Sequence, residues 1–117
     1  MMNKNFLKAI LNAFNGTKYF FLNERNGKIQ LAIAVVAISL SVGLGISTNE
    51  WLVVLLSIGF VIGLEMINTA IENLCNMVQK EYNPTIKIIK DVAAAGVLWV
   101  SLISLVIGLV IFLPKIF

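Results

Sequence analysis

Glu65, Asn68, Thr69, Glu72 and Asn76 stand at i, i+3, i+4, i+7 and i+11 in an otherwise apolar stretch. At ~100° per residue this spacing gathers the five on one face of a helix, with Met66, Ile67, Ile71, Leu74 and Cys75 off it. The run from Trp51 to Leu64 carries no charge, so Glu65 belongs to the same hydrophobic helix and its carboxyl is carried into lipid. An acid in that setting is costly, and by default it marks a functional site. A carboxylate at the edge of the lipid can accept a proton from a hydroxyl held at the same depth. Acids and amides further along, at the water, suit a hard cation and phosphate oxygens. The plainer reading of the same stripe is a seam of hydrogen-bonding residues that packs helix against helix.

Positioning such a stripe requires membrane-spanning helices, and the composition supplies them. The 117 residues are 59% hydrophobic and 13% charged, with a mean hydropathy of +0.93. An ordinary soluble domain carries about 25% charge. The fold class is therefore an all-α membrane protein, with residues 1–117 forming a single domain that has neither internal repeat nor linker. A chain this small encloses little interior, so its polar faces are expected to be buried by oligomerisation. One cysteine and no histidine exclude a disulfide framework, a thiolate cluster and a histidine-held zinc, leaving oxygen as the ligand for any metal. Nine basic residues against six acidic ones form no basic stripe, and no stacking motif accompanies them, so nucleic acid is not an expected partner. The segment before the first span lacks the continuous apolar core and small-residue cleavage site of a signal peptide.

Phe6, Leu7, Ile10, Leu11, Phe14 and Phe21 group on one side of a helix over about residues 5–22, opposite Lys8, Asn12, Asn15 and Tyr19. This pattern predicts an interfacial amphipathic helix in the headgroup plane, with Gly16 as a point of interruption. A polar cluster, 23–28, precedes a first span over about 29–46, long enough at ~27 Å to cross the hydrocarbon. Ser47 and Glu50 form a capping box that opens a second span, about 51–75, anchored by Trp51 at the interface. Gly59 and Gly63 add a small-residue surface for close helix contact. Asn83 and Pro84 read as N-cap and first position of a third helix, whose span covers about 88–113. Eight of the nine basic residues (Lys4, Lys8, Lys18, Arg25, Lys28, Lys80, Lys87, Lys90) flank one side and Lys115 the other, which places the N-terminus and the second loop in the cytoplasm.

The helix rise sets Glu65 about 21 Å and Glu72 about 31 Å from Trp51. In a hydrocarbon core ~30 Å thick, the first acid lies just inside the cytoplasmic boundary and the second at the water. Glu24, at the mouth of the first span, shares that rim. Such a site serves a lipid headgroup and a soluble reactant together. Glu65 takes the proton of a lipid hydroxyl, Glu24 and Glu72 share a hard cation such as Mg²⁺, and Lys90 balances phosphate charge. The competing class is non-enzymatic, a small oligomer whose carboxylates line an ion or proton path. That path needs polar groups in the outer half of the span, where residues 51–64 offer only Ser57.

Glu24-Arg25-Asn26 before the first span, Glu65-x-x-Asn68-Thr69-Ala70-Ile71-Glu72 in the second, Glu81-Tyr82-Asn83-Pro84 in the loop and Lys90-Asp91-Val92-Ala93-Ala94 opening the third resemble the prokaryotic diacylglycerol kinase family, which includes the undecaprenol kinases. The resemblance covers nearly the whole chain. It implies a homotrimeric kinase of the bacterial inner membrane, with active sites shared between subunits, that transfers the ATP γ-phosphoryl group to diacylglycerol or undecaprenol. On matching positions it implies Glu65 as general base with Asn68 beside it, and Glu24 and Glu72 as carboxylates at the metal. It further implies Glu81, Tyr82 and Asn83 as the nucleotide-contacting loop, with Lys90 and Asp91 on the phosphates and adenosine. Two positions depart from the family pattern: Asn76, at a nucleotide-site position where Asp is usual, and Asn83, where many members have His. The chain has neither a Walker-type phosphate loop nor the soluble protein-kinase motifs.

Overall fold

A computed structural model describes residues 4–117 and contains four helices among them: α1 (Lys4–Asn23), α2 (Arg25–Leu44), α3 (Thr48–Val78) and α4 (Pro84–Ile116). The last three are long and apolar enough to cross a membrane. α3 and α4 outrun their expected spans at both ends and α2 does so at its start, because hydropathy marks where lipid ends while backbone hydrogen bonding carries the helix onward into water. The chain's principal extents are 50 × 46 × 21 Å. Its thinnest dimension is about two helix diameters, so the spans form a thin layer with room for only a small core.

Local chemistry sets each break between helices. Gly45 ends α2 in the left-handed conformation (φ 62°, ψ 51°), and its N–H returns to the carbonyls of Ser41 and Val42. This terminates the helix two residues before Ile46, the last residue of the expected span. The capping box follows as anticipated: Glu50 N–H donates to Ser47 Oγ at 3.2 Å, and Ser47 N–H donates to Glu50 Oε1 at 2.9 Å. At the start of α4, Asn83 Oδ1 accepts from the N–H groups of Thr85 and Ile86, and Pro84 takes the first helical position. Lys115 pairs with Glu50 at 3.2 Å, fixing the far end of α4 against the start of α3. Ile46, Val54 and Ile111 make a small core at that end. A cavity of about 410 Å³ opens between α2, α3 and α4, walled largely by aliphatic side chains such as Ala34, Val54, Val61 and Leu105.

Helix α1 packs on α2, and Phe20 is its buried residue among those described. Phe6, Leu7, Leu11 and Phe14 are exposed. The apolar side is thus not covered by this chain, as a helix lying in an interface requires. Gly16 does not interrupt α1, which runs through it as continuous helix. Gly59 and Gly63 make no close contact within the chain either, since a Cβ at either position would have no neighbour within 4 Å. A single non-helical residue, Glu24, separates α1 from α2. Gly27 makes that corner possible, because any Cβ there would collide with the Phe20 backbone carbonyl.

Candidate active site

The end of the layer where α2 and α4 begin and α3 finishes collects the polar side chains. Glu65 is 4% exposed and Asn68 5%, and with Thr69, Val54, Val61 and Cys75 they make up the buried face of α3. Cys75 was expected off the polar stripe. It follows Asn68 by seven residues, a rotation of only ~20° from that position, so it shares the buried side. Glu72 is half-buried one turn beyond Asn68, and Asn76 is exposed at the water end.

Three pairings organise the site. Asn26, in the first turn of α2, donates from Nδ2 to Glu65 Oε1 at 3.1 Å. Asn68 Nδ2 donates to Glu72 Oε1 at 3.3 Å within α3. Lys90 Nζ donates to Asn76 Oδ1 at 2.6 Å, joining α4 to α3. The second pairing leaves Asn68 Oδ1 buried with no hydrogen-bond partner among the described residues.

The remaining predicted residues stand apart from these pairs. Glu24 occupies the N-cap of α2 with extended backbone (φ −98°, ψ 131°), yet its side chain makes no capping bond. Its half-buried carboxylate therefore keeps its lone pairs available at the positive end of the helix dipole. Glu81 and Tyr82 are exposed on the loop between α3 and α4, Tyr82 by 78%. The Asn83 side-chain oxygen is committed to capping α4. Asp91 pairs with Lys87 at 2.6 Å, while the adjacent Lys90 turns to α3.

Among the described residues, no hydrogen bond or ion pair joins Glu24 to Glu72, and no three Asp, Glu, Cys or His side chains cluster as a metal cage. The donor set fits Mg²⁺ held partly by phosphates: oxygen ligands, few carboxylates, and an orphan amide oxygen one turn from Glu72. Asn26 is the residue that sequence reasoning left out of the site. Its signals were its place two residues after Glu24 in the polar cluster and its membership of the Glu24-Arg25-Asn26 motif.

Residues 11–112 match the family described as prokaryotic diacylglycerol kinase. The chain is 36% identical over 110 residues to the undecaprenol kinase of Bacillus subtilis, covering 94% of this chain and 89% of that protein. It is 31% identical over 111 residues to a diacylglycerol kinase of Synechocystis sp., again over 94% of this chain but 63% of that longer protein.

Proposed function

Since the chain belongs to the prokaryotic diacylglycerol kinase family and is a multi-pass membrane lipid kinase using ATP, we propose that its acceptor is undecaprenol before diacylglycerol, phosphorylated at the cytoplasmic rim. The observation that carries the site is the Glu65 carboxylate, 4% exposed on a membrane-spanning helix and held from α2 by Asn26. The undecaprenol preference rests on the relative of similar length. Diacylglycerol remains the second reading because it offers the same primary hydroxyl at the same depth, and the other relative carries that name.

In this mechanism Glu65 takes the proton of the lipid hydroxyl as its oxygen attacks the γ-phosphorus of ATP. The bond to the β-phosphate bridging oxygen breaks, ADP leaves with that electron pair, and Glu65 returns its proton to water. Glu24 and Glu72 are the carboxylates that would hold Mg²⁺, which would supply charge neutralisation at the nucleotide phosphates. Lys90, oriented by Asn76, adds a positive charge beside them without losing its own to a carboxylate partner. Glu81, Tyr82 and Asn83 contact the nucleotide from the loop, and Asp91 its adenosine side. Three protomers complete one another's sites, which suits a layer 21 Å thick that leaves Asn76, Glu81 and Tyr82 exposed. The apolar side of α1 lies in the cytoplasmic headgroup region. An ion path is disfavoured, because the cavity between the spans is walled mostly by aliphatic side chains and the hydroxyls of Ser41 and Ser57 donate to carbonyls of their own helices.

The test is phosphoryl transfer by purified protein from γ-labelled Mg-ATP to each lipid. A kcat/KM at least tenfold higher for undecaprenol supports the assignment. A preference for diacylglycerol reverses the acceptor, and transfer to neither removes both.

A further inference from the structure

We propose that Asn26 is a positioning residue that orients the Glu65 carboxylate for proton transfer, an inference resting on the reading of Glu65 as the base. Asn26 and Glu65 are 39 residues apart, on different spans, and their 3.1 Å contact is the only side-chain hydrogen bond joining α2 to α3 among the described residues. The contact converges on the most deeply buried acid of the site.

A glutamate's terminal torsion is broad, so a buried carboxylate held only by its own stem can present either oxygen over a wide range of angles. An ionised carboxylate has about four acceptor positions and no donor. Occupying Oε1 with the Asn26 amide fixes the carboxylate plane and directs Oε2 to the incoming hydroxyl. An amide suits this role because it donates a hydrogen bond without placing a second charge beside the carboxylate. Asn26 sits at the exposed rim whereas Glu65 is buried, so the bond also sets the depth at which the carboxylate is held. Misplacing a catalytic group by about 1 Å costs on the order of 10²-fold in rate.

The test compares Asn26→Asp and Asn26→Ala with wild type, each also combined with Glu65→Gln, using γ-labelled Mg-ATP and undecaprenol or diacylglycerol. Asn26→Asp keeps the size of the side chain but removes the donor, and Asn26→Ala removes the donor without adding charge. Both should lower kcat by about 10- to 100-fold, with KM for nucleotide and lipid changed less than about twofold and the thermal midpoint retained. Neither should lower the residual rate of Glu65→Gln further. Should Asn26→Asp fail to fold, Asn26→Ala decides the matter on the same readouts. A tie that merely holds α2 to α3 predicts the opposite pattern: a lower thermal midpoint, raised KM values, and losses that multiply with Glu65→Gln. That pattern, or wild-type kcat in the Asn26 variants beside an inactive Glu65→Gln, overturns the positioning role alone. Full turnover in Glu65→Gln overturns the base reading and this inference with it.

Discussion

Asn68 and Glu72 face each other one helical turn apart, amide nitrogen to carboxylate oxygen at 3.3 Å, and this contact strands the amide oxygen of Asn68 in a buried position. An unmatched buried acceptor costs about 1–3 kcal/mol. Such groups are rare in folded proteins, and one at a candidate active site gains a partner when ligand arrives.

Replacing Asn68 with leucine should therefore separate stability from activity. The variant is expected to keep or raise the thermal midpoint in detergent while losing phosphoryl transfer. A midpoint several degrees below wild type would show that the orphan oxygen carries no strain.

Glu65→Gln should abolish transfer with the assembly intact, because the amide keeps shape and hydrogen bonding but cannot accept the proton. Loss of a positioned base typically lowers rates by ~10² to 10⁴. Turnover near wild type at saturating Mg-ATP and lipid would take Glu65 out of the base role.

Among the described residues no hydrogen bond or ion pair joins Glu24 to Glu72, so a shared ion is what would couple them. Either alanine substitution should raise the Mg²⁺ concentration needed for half-maximal activity. Acting through one ion, the pair of substitutions should lower the rate less than the product of the single effects. Multiplicative losses with unchanged Mg²⁺ dependence would assign the two acids to separate tasks.

Two glycines of the N-terminal half should respond in opposite ways to alanine. Gly27→Ala forces a methyl into the Phe20 carbonyl at the α1–α2 corner and should destabilise by about 1–3 kcal/mol, as overpacked sites do. Gly16→Ala meets no atom within 4 Å and should be neutral or stabilising by up to about 1 kcal/mol through helix propensity. Denaturation midpoints of the two variants check both signs.

What was legible in the chain was local. The capping box of Ser47 and Glu50 and the Asn83-Pro84 start of α4 depend on side chains reaching backbone groups a few residues away, so short spacing suffices to read them. The polar stripe was likewise a matter of helical period. Its edge was misjudged at Cys75, which the same period sets only ~20° from Asn68 and which is buried with it. Asn26 was invisible as a partner of Glu65 for a different reason: their meeting depends on the axial register of two helices joined at the opposite end of the layer. The start of α2 and both ends of α3 and α4 were read short, since charged and polar residues that leave the lipid still continue the backbone hydrogen bonding.

Between α1 and α2 the chain has one residue outside helical geometry, and a peptide unit offers only two soft rotations per residue. The joint between a surface rod and a membrane rod therefore has two degrees of freedom, φ and ψ of Glu24, with the Gly27–Phe20 contact limiting their range. The residue that carries those rotations also carries an acid of the candidate site, so the angle between α1 and α2 and the orientation of the Glu24 backbone are set by the same two torsions, with no slack segment between them.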